Sequence, residues 1–383
     1  MNFIQKGFIG KNDTWRYLLT IILVFLGIQI AGIPLLIAAF FQVDGDLEKF
    51  QEGANSAFME IGMNSSLYLF LMIFTFMIGV LVLYLFVKYL HKKKFIAIVT
   101  SRKKIDWNRV FYAFILWGSI SVISIFVGMY LTPEDYTWNF KPIPFFTLLV
   151  VSFLFLPFQT SFEELVFRGY LMQGFGISAA KKSFGFDIIY LLICVVVYIA
   201  LNSYFDIMML INLIIISSFG IIWYFLYEYK IMKKLTATGF SRFQHNLLSR
   251  SFTPLIITSV IFGLMHGMNP EVEQLGYVVM VFYIGTGLLY GITTLMDEGT
   301  ELALGLHASN NIIAAFLVTT DWMVFRTDAM YIDTSEPSAG AEMYIGVFVL
   351  YPLLLLVFSK KYGWKNWKNK LFGKVEIPVI DEK

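Results

Sequence analysis

Ten apolar stretches without Asp, Glu, Lys or Arg divide the chain. They cover residues 17–43, 61–87, 110–133, 142–162, 188–205, 207–227, 251–270, 274–296, 302–320 and 343–359. Each is about 17 to 27 residues long, which is the length that a helix needs to cross roughly 30 Å of hydrocarbon. In lipid such a stretch must be helical, because an open strand leaves its backbone polar groups unpaired. The pattern predicts an all-α polytopic membrane bundle of about ten transmembrane helices.

Composition supports a membrane protein. Of 383 residues, 58% are hydrophobic and only 15% are charged, whereas soluble domains carry about 25% charged residues. The net charge of +2 is too small to indicate a nucleic-acid partner, so the expected surroundings are the lipid bilayer. The single cysteine, Cys194, excludes an intrachain disulfide.

The basic residues predict the orientation of the chain. If the N-terminus is cytoplasmic, all of the 29 basic residues except Lys49, Lys141 and Arg326 fall on the cytoplasmic side. Such an asymmetry is typical of the positive-inside rule. It predicts an even number of spans, with both termini cytoplasmic.

Polar residues in or beside three of the apolar stretches are the candidates for chemistry, since ionisable groups at membrane depth are rare and usually functional. They are Glu163, Glu164 and Arg168 at the end of the fourth stretch, His266 in the seventh, and His307 with Asn311 in the ninth. The other two histidines, His91 and His245, lie in basic loops and need no special role.

Helical spacing assigns different roles to the two adjacent carboxylates. Glu164 and Arg168 are four residues apart, so they share a helix face and are expected to form an ion pair. Glu163 points about 100° away and has no cation beside it on the helix. A poorly solvated carboxylate without a partner suits a general base. Glu163 is therefore the predicted base, and Glu164 and Arg168 are supporting residues.

The ninth stretch offers two hydrogen-bond donors on one face, because His307 and Asn311 are also four residues apart. Two donors aimed at one point can stabilise an oxyanion, and His266 can help Glu163 to hold a water. A lone histidine or asparagine in a membrane helix is more often a residue that links helices. One carboxylate, two histidines and an amide together are what water-dependent amide cleavage requires.

These residues resemble the motifs of a known family. Glu-Glu-x-x-x-Arg at 163–168, Phe-x-x-x-His at 262–266 and His-x-x-x-Asn at 307–311 occur in that order on apolar stretches. They look like the motifs of the CAAX protease and bacteriocin-processing (CPBP, or ABI) intramembrane endopeptidases. The resemblance implies that Glu163 and His266 activate water and that His307 and Asn311 form the oxyanion hole. It also implies a membrane-associated protein or peptide substrate, and the bacterial-looking pattern points to a prokaryotic plasma membrane.

The resemblance covers roughly residues 145–317 and divides the chain into three parts. Residues 1–141 form a three-span region outside it. Residues 142–320 form the protease-like core, with an inserted helical hairpin near 186–229, since about 90 residues separate the first two motifs. Residues 321–383 hold the last span and a basic cytoplasmic tail.

Three questions stay open at this level. Glu163, His266 and His307 are also a suitable ligand set for Zn²⁺, so a metal site is the alternative to a metal-free mechanism. A non-enzymatic transporter or partner-binding scaffold is the alternative function, because transporters also place ionisable groups at the midplane. The third question is whether the candidates lie at the same depth in the membrane. At 1.5 Å per residue, His307 lies about 10 Å and His266 about 20 Å from the cytoplasmic side, with Glu163 near that boundary.

Overall fold

The protein is an all-α bundle, as the uncharged stretches predict. The computed structural model describes residues 1–204, 209–228, 230–323 and 326–379. Its helices are α1 (Phe3–Lys6), α2 (Thr14–Ala31), α3 (Ile33–Gln42), α4 (Leu47–Asn55), α5 (Ser65–Tyr89), α6 (Ile96–Val99), α7 (Trp107–Leu131), α8 (Pro142–Glu164), α9 (Met172–Ala179), α10 (Phe184–Tyr204), α11 (Met209–Glu228), α12 (Ile231–Leu235), α13 (Gly239–Leu248), α14 (Phe252–Met265), α15 (Pro270–Leu275), α16 (Met280–Asp297), α17 (Glu301–Phe316), α18 (Ala341–Ile345), α19 (Tyr351–Tyr362) and α20 (Trp367–Phe372). Short 3₁₀ turns cover Pro133–Asp135 and Tyr277–Val279, and π-helical turns cover Leu165–Leu171 and Gly346–Leu350.

Six helical segments in the described part of the chain are long and apolar enough to cross a membrane. They are Thr14–Gln42, Ser65–Tyr89, Trp107–Leu131, Pro142–Ala179, Tyr277–Asp297 and Met343–Tyr362. Large apolar side chains on their outer faces, such as Phe25, Phe111 and Ile143, are exposed. Apolar exposure of this kind suits a lipid solvent, so the protein is an integral membrane protein.

The other four predicted spans are helical but differ from the six. The fifth and sixth fall on α10 and α11, whose connection at 205–208 lies outside the described residues. In the seventh stretch only fourteen residues, those of α14, form the helix, which ends at Met265 instead of continuing to residue 270. The ninth gives the sixteen residues of α17, most of which are buried. The inserted hairpin near 186–229 therefore remains a prediction.

The α17 helix lies at the centre of the bundle because small residues let its neighbours approach closely. It packs along α7 and α8. A Cβ atom at Gly305 would collide with the Val110 carbonyl oxygen, and one at Gly118 would lie 2.7 Å from Ser309 Oγ. Small residues at such contacts are typical of helix packing in membranes. The third span, α7, thus packs directly on the helix that carries the third motif.

A cluster of ion pairs joins the loop before α7 and the start of α7 to the end of α16 and the start of α17. Asp297 lies 2.8 Å from Arg102 and 2.8 Å from Arg109, and Glu301 lies 3.1 Å from Arg102. Trp364 Nε1 also donates to Asp297 Oδ1 at 3.0 Å. Both carboxylates are buried, and these partners offset the free-energy cost of removing the two charges from water. The cluster anchors the start of α17, six residues before His307.

A small sheet closes the opposite end of the bundle. Strand β1 (Tyr136–Trp138) pairs antiparallel with β3 (Tyr331–Asp333), and β2 (Val318–Thr319) pairs parallel with β3. Since β1 follows α7 and β2 follows α17, the sheet ties together the far ends of the two helices that pack along each other.

Candidate active site

The first motif lies in the middle of a continuous helical segment rather than at its end. Helix α8 continues through the π-helical turn Leu165–Leu171 into α9, so the segment runs from Pro142 to Ala179. Pro157 lies inside α8, where its ring removes a backbone hydrogen bond. A π-helical turn inside an α-helix is rare and is frequent at functional sites. Here it begins directly after Glu164.

Glu164 and Arg168 form the predicted ion pair, and both side chains are fully buried. Arg168 Nη1 donates to Glu164 Oε1 at 3.2 Å. Its other terminal nitrogen, Nη2, donates to the Gly287 carbonyl at 3.2 Å, and its guanidinium lies 4.0 Å from the centre of the Phe262 ring. A buried guanidinium of this kind depends on its carboxylate partner. The pair fixes α8 against α14 and α16.

Glu164 has a second partner that helical spacing does not reveal. His307 Nδ1 lies 2.8 Å from Glu164 Oε1. A carboxylate oriented toward a ring nitrogen determines which nitrogen carries the proton. Nδ1 is therefore the donor to Glu164, and Nε2 points away from Glu164. The His307 ring is stacked on Tyr290, with centroids 5.1 Å apart. These contacts hold the imidazole in one orientation.

Glu163 is not isolated, contrary to the expectation from helical spacing. Its Oε1 accepts a hydrogen bond from Gln159 Nε2, one turn earlier on α8. Its Oε2 lies 3.7 Å from His307 Nε2, with the Glu163 side chain 13% exposed and the His307 side chain 6% exposed. That separation is within ion-pair range but too long for a hydrogen bond. His307 therefore faces both carboxylates, because α17 passes beside this part of α8.

Asn311 joins the same cluster through Gln159. Asn311 Nδ2 donates to Gln159 Oε1 at 2.9 Å, and Asn311 Oδ1 accepts from Asn310 Nδ2 at 3.1 Å. Both Asn311 and Gln159 are buried. Sequence reasoning missed Gln159, although a polar residue one turn before Glu163 in an otherwise apolar stretch was a usable signal.

His266 is placed apart from the other candidates. It follows the last residue of α14 instead of lying inside a helix, and its Nδ1 lies 2.7 Å from the Phe262 carbonyl oxygen. Its ring stacks on Tyr283, with centroids 4.5 Å apart. Within the described residues no hydrogen bond or ion pair joins His266 to Glu163 or His307. The Phe262 ring adjoins both histidines, at 4.6 Å from His266 and 6.0 Å from His307.

The loop histidine His91 is more than a surface residue. It is completely buried, with Nε2 2.7 Å from Tyr170 Oη and Nδ1 2.8 Å from the Lys11 carbonyl. Burial lowers the pKa of His91 to about 4. The expectation that His91 needs no special role is therefore wrong, since it joins the N-terminal segment to the helix of the first motif.

The alternative zinc site requires three side chains that converge. Over the described ranges, no group of three His, Cys, Asp or Glu side chains is arranged to hold a metal ion. Glu163 and His307 face each other, but His266 Nδ1 is engaged with a backbone carbonyl. As arranged, Glu163, His266 and His307 do not fit a three-ligand zinc site.

Comparison with known proteins supports the resemblance drawn from the three motifs. The family model for Rce1-like type II CAAX prenyl endopeptidases matches residues 235–313. An uncharacterized protein of Bacillus subtilis (strain 168), YyaK, is 23% identical over 374 residues, which is 94% of this chain and 97% of YyaK. No solved structure matches the chain.

The family match confirms the resemblance to the CAAX protease family over the part of the chain that holds His266, His307 and Asn311. In general terms it supports a CAAX-type intramembrane endopeptidase acting on a membrane-associated peptide in a lipid environment. The matched stretch begins after the first motif, and what joins Glu163 and Glu164 to the matched part is their position beside His307.

Proposed function

We propose that the protein hydrolyses a peptide bond in a membrane-associated protein or peptide, with Glu163 activating the attacking water. The observation that carries this proposal is that residues of the first and third motifs lie side by side. Glu163 Oε2 lies 3.7 Å from His307 Nε2, and Asn311 reaches Glu163 through Gln159. A base and two donors are thus gathered in one site with little access to water.

Glu163 is the base in this proposal because its Oε2 faces His307 Nε2 and its side chain is 13% exposed, whereas Glu164 is fully buried as the counter-ion of Arg168. Each carboxylate has one oxygen, Oε2, without a hydrogen-bond partner among the described residues, but Glu164 Oε1 is held by both Arg168 and His307. A general base must lie within hydrogen-bond reach of the proton that it takes, directly or through one water. Glu163 Oε2 meets that requirement for a water placed beside His307.

His307 supplies the first donor, through Nε2. Its Nδ1 hydrogen bonds to Glu164, so Nε2 can donate to an oxyanion only when it also carries a proton.

Asn311 supplies the second donor. One hydrogen of Nδ2 is used by Gln159, and the other remains for the oxygen of the scissile carbonyl. Two donors oriented before the reaction stabilise the oxyanion without reorganisation.

The proposed reaction proceeds by a balanced proton transfer. Glu163 takes a proton from water while the water oxygen bonds to the carbonyl carbon, and the carbonyl π electrons move to the oxygen held by His307 and Asn311. When the intermediate collapses, the C–N bond breaks and Glu163 returns the proton to the leaving amine. The products are a carboxylic acid and an amine.

His266 is proposed to contact the water or the substrate from the side beyond Phe262. Its Nδ1 faces a backbone carbonyl, which only accepts hydrogen bonds, so Nδ1 carries the proton. In the tautomer with the proton on Nδ1, Nε2 is an acceptor. An acceptor at this position suits a water that also hydrogen bonds to Glu163.

The test is cleavage of short membrane-associated peptides, including prenylated ones, by purified protein in lipid nanodiscs, with products identified by mass spectrometry. We expect cleavage by the wild type and a decrease of about 10² or more in Glu163→Gln, because general-base help is lost while size is kept. Glu52→Gln is the matched control, since Glu52 is an exposed carboxylate on α4.

Equal cleavage by wild type and a folded Glu163→Gln variant would contradict the proposed role. A wild type that moves a solute across proteoliposomes but cleaves nothing in the panel would favour the transporter alternative.

A further inference from the structure

Four side chains from three helices form a directed chain of hydrogen bonds that ends on Glu163. Trp117 Nε1 of α7 donates to Asn310 Oδ1 at 3.2 Å. Asn310 Nδ2 then donates to Asn311 Oδ1, and Asn311 Nδ2 to Gln159 Oε1. Gln159 Nε2 donates to Glu163 Oε1. We call these four donors, Trp117, Asn310, Asn311 and Gln159, the amide relay.

The direction of the amide relay is determined at both ends. An indole nitrogen only donates, and an ionised carboxylate only accepts. Each amide between them has one oxygen and one nitrogen, so rotating any one of the three by 180° would place like atoms together on both sides. Amide orientations are otherwise ambiguous, but here Trp117 and Glu163 leave only one consistent arrangement.

Two catalytic orientations follow from that arrangement. Gln159 must present its N–H groups, not its oxygen, to Glu163. Asn311 must present Nδ2 on the side of Gln159, which keeps its second N–H, rather than its oxygen, available for an oxyanion. The relay thus orients the base and the oxyanion donor together.

We propose that Gln159 is a positioning residue that couples Glu163 to Asn311. In this proposal Trp117 and Asn310 hold the Asn311 amide in the orientation that this coupling needs. The inference rests on the proposed peptidase activity. Gln159 touches neither the water nor the peptide. It acts by holding two groups that do, and misplacement of such groups by about 1 Å can cost about 10²-fold in rate.

The relay also gives the region before the first motif a part in the site. Trp117 lies on α7, and it reaches Asn310 because α7 packs along α17. Its ring lies against Tyr351, with centroids 5.9 Å apart. Trp117 is half-buried, so replacement by Phe keeps most of the ring contact and removes only the N–H.

The experiment compares kcat and KM of four variants in the nanodisc cleavage assay. Gln159→Leu removes both links, and we expect kcat to fall roughly 10- to 100-fold with KM within about twofold. Gln159→Glu keeps an acceptor for Asn311 but loses the donor to Glu163, so it should not restore kcat. Trp117→Phe should lower kcat by about threefold to tenfold, the loss of one hydrogen bond at the end of the relay. Thr160→Val is the matched control, because Thr160 is buried next to Gln159 and its hydrogen bonds among the described residues go to carbonyls of its own helix. Its kcat should equal that of the wild type.

A double variant distinguishes coupling between Gln159 and Asn311 from a general disturbance of the structure. If Gln159 acts through Asn311, then Gln159→Leu combined with Asn311→Ala should lower kcat by less than the product of the single effects. Strictly multiplicative effects, or wild-type kcat in both Gln159→Leu and Trp117→Phe while Glu163→Gln is inactive, would overturn the relay and leave the peptidase proposal intact. Absence of cleavage by the wild type across the peptide panel would overturn both. Gln159→Glu and Trp117→Phe keep the test decisive if Gln159→Leu does not fold.

Discussion

His307 Nδ1 and Glu164 Oε1 lie 2.8 Å apart although 143 residues separate them in the chain. This contact changes the role expected for Glu164, the second carboxylate of the first motif. Helical spacing pairs Glu164 with Arg168 only, and that pair exists. The contact with His307 adds a role, since it orients the imidazole whose other nitrogen faces Glu163.

Glu164→Gln is expected to destabilise the protein more than Glu163→Gln. It leaves the Arg168 guanidinium buried and without its counter-charge, which costs about 3–5 kcal/mol. We expect a clear fall in the temperature at which the detergent-solubilised protein loses its monodisperse peak. Activity should fall too, because His307 loses its orienting partner. A Glu164→Gln variant as stable and active as the wild type would show that the ion pair matters little.

Asn311→Ala tests the oxyanion donor. If Asn311 donates only in the transition state, kcat should fall roughly 10²–10³-fold with little change in KM. Steady-state kinetics on one cleaved peptide measure both constants. A rise in KM at constant kcat would instead assign Asn311 to substrate binding.

Chelation distinguishes the metal-free mechanism from the zinc alternative. Because the three candidate ligands do not converge in the described residues, we expect full activity after treatment with a strong chelator and metal analysis that finds no stoichiometric zinc. His307→Ala should then lose activity without a change in metal content. Activity that chelation abolishes and added Zn²⁺ restores would contradict the metal-free mechanism and leave the family resemblance intact.

His91 predicts a loss of stability in mild acid. Burial, with Lys93 and Arg16 nearby, lowers its pKa from 6.5 to about 4. The unfolded chain therefore binds more protons between these values, so stability is complete above pH 6.5 and falls as the pH drops toward 4. The loss amounts to about 3 kcal/mol at most. Thermal unfolding of wild type and His91→Gln across pH 4.5–7.5 should show a shallower acid slope in the variant. Parallel slopes would exclude His91 as the source.

The orientation of the chain is a separate prediction. Because nearly all basic residues fall on one side of the predicted ten-span arrangement, reporters placed within 92–104 and after Lys383 should both be cytoplasmic. Reporter pairs active only in the cytoplasm or only outside it measure this directly. An external signal at either site would overturn the arrangement.

The sequence alone predicts the class of fold and the chemical groups of the site. Uncharged stretches of spanning length determine an all-helical membrane bundle, because lipid offers the backbone no other partner. Spacing of four residues determines that Glu164 reaches Arg168, since that contact lies within one helix. Polar residues in apolar stretches identify Glu163, His307 and Asn311 as candidates, because such residues are costly unless they are used.

Tertiary structure decides which candidates meet. Helical periodicity says nothing about neighbouring helices, so it left Glu163 without a partner, whereas close packing of α17 on α8 brings His307 to both carboxylates. The same packing recruits Gln159 and Trp117, which carry no charge and no motif. The position of His266 beyond Phe262 also follows from where α14 ends, at Met265. Contacts between residues distant in sequence depend on small side chains such as Gly305 that set how closely two helices approach, and that distance is a property of the packed bundle, not of any one helix.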